Sequence, residues 1–349
     1  MFLIFSDLHI YTHKGRNNRL EDCIDALKWV FDVAKERKVS HVICVGDLFH
    51  DRQIIDILTY QTAFQVFADN SQEDFQVHLL IGNHDCWYSD KWNISSVVPL
   101  SSVDNISVIS APTEVTMDGH NVAFLPYTKN PARDLKNVGG DILFAHVAID
   151  GALWNVYANT RADVIIEHDG EMEIVSPDIF DRWKRVFLGH YHAEQQLSDT
   201  VEYVGSPLQL TFGEAFQHKH IILYDPETDT REYIRNTFSP QHFIIPEADL
   251  GKYDLNKNFV RVIVDDISSS DIIETRERLL AKYDVGSLKF EQRPKEIQRH
   301  IIADAKAILF KEEDMLERYI EEVGTDGLNK EVLLKIGKSI VKKVKGKQK

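Results

Sequence analysis

Apolar residues cluster in short uninterrupted runs: FLIFS (2–6), HVICV (41–45), VHLLI (77–81), VAFL (122–125), ILFA (142–145), VFL (186–188) and HIILY (220–224). Runs of this length with little polar alternation predict strands covered on both faces. Between the first two, Leu20, Ile24, Leu27, Phe31 and Ala34 recur at helical spacing. They predict a helix of about 18 residues, opened by an Asn18/Glu21 capping box. Strand-like runs alternating with helical patterns give a layered α/β domain over residues 1–235.

The pattern changes after LYDPETDTREY. NKNFVRVIVDD reads as a strand, DIIETRERLLAKYD as a helix, and GSLKFEQRP as a strand that Pro294 ends. These predict a small α+β domain over 236–310. Residues 311–349 then predict two helices, 312–323 and 328–344, separated by Gly324 and Gly327. In the second, Leu328, Val332, Leu333, Ile336, Ile340 and Val344 share one side. That stripe implies either a partner surface or a fold-back onto its own domain. Residues 54–68 (IIDILTYQTAFQVFA) are apolar around more of a helix than one sheet face needs, which implies a second contact on that helix.

Charge changes the picture by its distribution. The 349 residues carry 40 basic and 55 acidic side chains, a formal charge of −15, which argues against non-specific coating of a polyanion. The end, KIGKSIVKKVKGKQK (335–349), holds seven lysines and no acid, so the rest stands at 33 against 55. A second basic stretch, HKGRNNR (13–19), offers Lys14, Arg16 and Arg19 to a phosphate backbone, or is an ordinary solvated loop. No apolar run approaches about 18 residues, so no membrane span is expected. Cys23, Cys44 and Cys86 form no CxxC pair, which fits a reducing, cytoplasmic setting.

The chemistry sits where the apolar runs stop. Asp7 and His9 follow the first, Asp47 and His50 the second, Asn83, His84 and Asp85 the third. His146 follows the fifth, and His190 and His192 the sixth. Loops at the carboxyl edge of an α/β sheet converge, so these residues can share one centre. Imidazole, carboxylate and one amide, without thiolate, suit borderline divalent ions. Asp7, His9, Asp47, Asn83, His146, His190 and His192 exceed one tetrahedral ion and suit two, bridged by Asp47. The D-x-H and H-x-H spacings follow the strand period of two, which predicts both side chains on one face. His84, beside a ligand, suits proton transfer, with Asp85 or a backbone carbonyl fixing its tautomer.

Together, Asp7-x-His9, Gly46-Asp47, Gly82-Asn83-His84-Asp85, His146 and Gly189-His190-x-His192 resemble the complete motif set of the calcineurin-like metallophosphoesterases. The resemblance implies a β-sandwich flanked by helices and hydrolysis of phosphoesters. It places Asp7, His9, Asp47 and His192 on one ion, and Asp47, Asn83, His146 and His190 on the other. His50 would position phosphate, the bland alternative being a partner of Asp47.

GDLFHDR and YVGSPLQLTFGEA (203–215) further resemble the SbcD-like nuclease subunit of double-strand-break repair complexes, especially compact bacteriophage forms. That implies two Mn²⁺, with Mg²⁺, Fe²⁺ or Zn²⁺ as alternatives. It also implies action on DNA, as a 3′-to-5′ exonuclease on double-stranded ends and an endonuclease on single strands. The 236–310 module would be a capping domain, and the C-terminal helices would dock on an SbcC-like coiled-coil ATPase. Helix 54–68 would form a homodimer. Trp87, Tyr88 and Trp92, directly after the third motif, either pack or stack on an unpaired base. Two rivals stand beside this reading: a small-substrate phosphodiesterase with the second domain as a lid, and an architectural subunit of the ATPase complex.

Overall fold

The computed structural model describes residues 1–12, 19–88, 91–155, 160–161, 174–265, 268–292, 330 and 332–335. Among these, two six-stranded sheets carry the first 236 residues. The first places Phe2–Phe5, His41–Cys44, Gln76–Leu80 and Ile106–Ile109 in parallel, with Lys219–Asp225 and Thr230–Asn236 added antiparallel at the other edge. The second is built around His120–Leu125, Ile142–His146, Arg185–Gly189 and Val201–Tyr203, all parallel. All seven apolar runs are strands. Strands such as Ile106–Ile109 and Thr230–Asn236 went unread because polar residues interrupt them.

Strand alternation sorts the side chains into layers. Phe2, Ile4, Ile43 and Ile222 turn inward to meet Val122, Phe124, Phe144 and Phe187. Leu3, Phe5, Val42 and Cys44 turn outward under the helices. The inner layer is stapled by aromatic rings: Phe124 on Phe144 and Phe144 on Phe187, each at 5.4 Å, and Phe187 on Tyr224 at 5.0 Å. Tyr224 belongs to the first sheet, so this ladder crosses between the sheets and fixes one against the other.

Helix α1 (Leu20–Glu36) buries the expected stripe of Leu20, Ile24, Leu27, Phe31 and Ala34. Its N-cap is Arg19, without a side-chain cap bond; Glu21 and Asp22 in the first turn complement the dipole instead. Helix α2 (Ile57–Asp69) starts later than its apolar pattern, because the Asp56 carboxylate caps it by accepting from the Thr59 N–H at 2.9 Å. Ala63, Val66 and Phe67 face the core, and Phe67 meets Phe31 at 5.5 Å. Ile54 (79% exposed), Ile57 (83%) and Leu58 (61%) face solvent, beside an open apolar recess lined by Ile55, Tyr60 and Phe64.

Residues 242–292 form a module with its own core. Strands His242–Pro246, Phe259–Val264 and Ser287–Gln292 form a parallel three-stranded sheet, and helix Ser269–Lys282 adds Leu279 to its core of Ile245, Val260 and Val262. It falls within one compact unit, Met1–Arg293. In the second unit, Pro294–Lys349, Lys330 and Val332–Lys335 are helical. Helix 312–323, most of 328–344 and the lysine-rich end lie outside the described residues. So do Lys14, Arg16 and the side chain of Trp92. No helix among the described residues is long and apolar enough to cross a membrane.

Arg19 corrects the expectation of an exposed, phosphate-facing loop cation. It is 1% exposed. Its Nη2 donates to the Gln209 carbonyl at 2.9 Å, its Nε lies 2.9 Å from the Asp22 carboxylate, and its guanidinium covers the Phe259 ring at 4.5 Å. A carbonyl, an anion and a π-face together compensate the burial of the charge. Arg19→Ala therefore lowers stability by about 2 kcal/mol, since a buried carbonyl loses its donor. A shift of the urea midpoint at constant slope measures this; an unchanged midpoint contradicts it.

Candidate metal centre

The side chains at the strand ends converge through the backbone rather than through strand alternation. Phe2–Phe5 ends before Asp7, and Asp7 (φ 53°) and His9 (φ 50°) both adopt left-handed conformation. Asp47 (φ 54°) does the same, and His190 has φ 109°. Such non-glycine positions cost roughly 1–3 kcal/mol each and persist where the surroundings over-determine them. Here the first two loops are zipped together: Asp7 N–H donates to the Gly46 carbonyl at 3.0 Å, and His9 N–H to that of Asp47 at 3.0 Å. The expectation from period two was right in outcome and wrong in cause. Gly46 (φ 99°) leaves room for the His146 ring, and a Cβ at Gly82 would strike the Asp47 carboxylate.

The result, among the described residues, is three donor sets: two that adjoin at Asp47, and a third in which His9 meets His50 and His84. Ligand atoms of Asp7, His9 and His192 lie within 4.8 Å of one another, as do those of Asp47, His146 and His190. Asp47 stands between them, its Oδ2 3.6 Å from His9 Nε2 and 3.4 Å from His146 Nε2. The Asn83 amide joins the second set, 2.9 Å from His146 Nε2 and 3.0 Å from His190 Nδ1. His190 N–H donates to the Asp7 carboxylate, and His84 N–H to Asp47 Oδ1 at 2.8 Å, tying the loops to the ligands.

The His146 Nδ1–H donates to the Val45 carbonyl at 2.8 Å, so its Nε2 is the nitrogen that faces Asp47 and Asn83. His9 Nε2 and His192 Nε2 face each other at 3.0 Å. Burial pushes His9 well down and His190 down to about 3, so neither readily takes a proton. Burial also opposes charge on His146, yet the adjacent Asp47 carboxylate raises it to about 9. Burial likewise opposes ionisation of Asp47, and His146 overrides it, holding the carboxyl well below the usual range. Converging imidazoles and carboxylates, with protons disfavoured by burial on His9 and His190 but favoured, against burial, on His146 by Asp47 and on His192 by Glu214, fit divalent cations.

The sequence comparisons agree with this geometry. Residues 1–210 match the model of the family described as calcineurin-like phosphoesterase. The chain belongs to that family. Its curated relatives include "Exonuclease subunit 1" of Enterobacteria phage T4, 25% identical over 257 residues that cover 71% of each chain. They also include "DNA double-strand break repair protein Mre11" of Halobacterium salinarum, 26% identical over 259 residues, covering 71% of this chain and 62% of that protein. This calcineurin-like phosphoesterase is thus a metal-dependent enzyme of phosphoester chemistry.

Three further sequence-predicted residues of the phosphoesterase lie around the donor sets. His84 directs Nδ1 at the His50 carbonyl, 2.6 Å away, so that nitrogen carries the proton and Nε2 is left for chemistry. Of the two orienters considered for His84, the backbone carbonyl takes the role. Asp85 turns elsewhere: its carboxylate accepts from the N–H groups of Gly82 (2.9 Å), Phe49 (3.1 Å) and Leu48 (3.3 Å). It staples two ligand loops together, which corrects its expected place among the catalytic side chains. His50 partners His9, Nδ1 to Nδ1 at 3.3 Å, rather than Asp47, and stacks between Tyr11 (4.3 Å) and His84 (5.5 Å). Burial lowers its tendency to protonate.

Two contacts escaped the sequence. Arg52 donates to the Asn83 amide oxygen at 2.9 Å in the orientation that turns the amide nitrogen toward Asp47, His146 and His190. Glu214, buried at the end of the quoted 203–215 segment, faces His192. An isolated Glu in a loop gives no spacing signal, and the contact spans 22 positions. Trp87 and Tyr88 are exposed on the hairpin Cys86–Tyr88/Lys91–Ser95, their rings 6.1 Å apart.

Proposed function

We propose that this phosphoesterase is a Mn²⁺-dependent DNA nuclease subunit, cutting double-stranded ends 3′ to 5′ and single strands internally, in concert with an SbcC-like coiled-coil ATPase. The observation that carries the reading is the pair of donor sets on either side of the Asp47 carboxylate, with His84 alongside and its Nδ1–H on the His50 carbonyl. Asp7, His9, Asp47 and His192 would hold one ion, and Asp47, Asn83, His146 and His190 the other. Two bound ions supply Lewis acidity to phosphoryl oxygens and a template for in-line displacement.

The remaining roles belong to the chain's own groups. With Nδ1–H pinned on the His50 carbonyl, the imidazolium form of His84 gives its second proton, from Nε2, to the leaving 3′-oxygen and is left as the Nδ1–H tautomer. When His9 ligates through Nε2, its Nδ1–H donates to His50 Nδ1. The His50 proton then sits on Nε2, where it can donate to a non-bridging phosphate oxygen. Nuclease action draws support from the two relatives, one named as an exonuclease subunit and the other as a double-strand-break repair protein. The apolar face around Ile54, Ile57 and Leu58 supports a dimer through α2.

Two outcomes test this reading. His84→Ala is expected to keep the ions and lose about 10²–10⁴-fold in turnover of an ordinary phosphodiester. Loss of ions would make His84 a ligand, and near-normal cleavage would remove its proton-transfer role. Ile57→Glu, on a side chain exposed in the monomer, is expected to give a folded monomer. That monomer should digest end-labelled duplex poorly in Mn²⁺ yet hydrolyse bis-p-nitrophenyl phosphate at the parental rate. Equal loss or equal retention of both activities moves the assignment toward a small-substrate phosphodiesterase.

A further inference from the structure

We propose that Glu214 is a positioning residue for His192, holding its imidazole as the Nδ1–H tautomer with Lys219 as counter-charge. The inference rests on His192 being a metal ligand, as proposed above.

The geometry is closed on every side. Glu214 ends the short turn Phe212–Glu214 and is 4% exposed. Its Oε1 lies 3.2 Å from His192 Nδ1 and accepts from the Thr211 hydroxyl at 3.4 Å. Its Oε2 faces Lys219 Nζ at 2.7 Å and accepts from Ser206 Oγ at 3.2 Å and Leu210 N–H at 3.3 Å. Lys219, also buried, donates in turn to the His192 carbonyl at 2.7 Å and to Ser206 Oγ at 2.9 Å. One buried ion pair therefore grips His192 twice, by its backbone oxygen through Lys219 and by its ring through Glu214.

Stability alone does not account for this arrangement. A buried ion pair is a weak stabiliser, and apolar side chains of similar volume commonly do as well or better. A carboxylate on the far nitrogen of a ligating imidazole does something apolar residues cannot. It fixes the proton on Nδ1, orients the ring and raises the basicity of Nε2. The Nε2 so prepared is the atom 3.0 Å from His9 Nε2, in the set completed by Asp7. The other set is served differently, since His146 is oriented by the neutral carbonyl of Val45. The two ion sites are accordingly tuned by unlike groups, one charged and one not.

The first test uses the parent protein. In the metal-free chain at alkaline pH, where the ring is neutral, ¹⁵N-imidazole NMR is expected to show His192 as the Nδ1–H tautomer. An Nε2–H tautomer overturns the proposal. The second test replaces both charges at near-constant volume, as Glu214→Met with Lys219→Met. The folded double variant is expected to keep a urea midpoint near the parent's while binding of one of two Mn²⁺ weakens about 10–100-fold. Parental affinity at both sites in the folded variant would reduce Glu214 to a purely structural partner of Lys219. A parent that binds fewer than two ions points instead to failure of the metal reading on which this rests.

Discussion

Acceptors that point at one another inside a protein require something positive between them. His9 Nε2 faces His192 Nε2 and His146 Nε2 faces the Asp47 carboxylate, so each buried pair needs a proton or a cation between its atoms, and burial disfavours the proton on His9 and His190. The rest of the molecule holds these groups in place. Val45 fixes one tautomer through its carbonyl, the His50 carbonyl another, and the Asp85 carboxylate clamps the loops that carry them.

Holding acceptors together also demands a stiff frame. The left-handed residues at Asp7, His9 and Asp47 are strained individually and are stabilised by neighbours on both sheets. His190 N–H on the Asp7 carboxylate bridges the sheets directly above the core. Below it, the aromatic ladder from Phe124 to Tyr224 sets the spacing of the sheets. Packing at close to crystal density transmits displacement, so a change in this layer reaches the ligands.

Much of this was legible in the chain. Continuous apolar runs gave the strands, and the polar residues that end five of them gave the donor types, because side-chain chemistry and strand termini are local properties. The route by which the donors meet was not legible. Period two predicts a common face for Asp7 and His9, whereas the backbone turns left-handed at both. Arg19 read as a surface cation because nothing local announces the Gln209 carbonyl and Phe259 ring that enclose it. Asp85, adjacent to His84 in sequence, serves backbone groups 36 and 37 positions away. Contacts of that span are decided by tertiary packing, and no periodicity encodes them.

The central claim is that one carboxylate, Asp47, is shared by two ions. Elemental analysis and anomalous scattering at saturating Mn²⁺ test it most directly, on the parent chain and on Asp47→Asn. The account predicts two ions on either side of Asp47 in the parent and weakened binding of both in the variant. Full occupancy of a single site in the parent, or loss of only one ion in the variant, would contradict it.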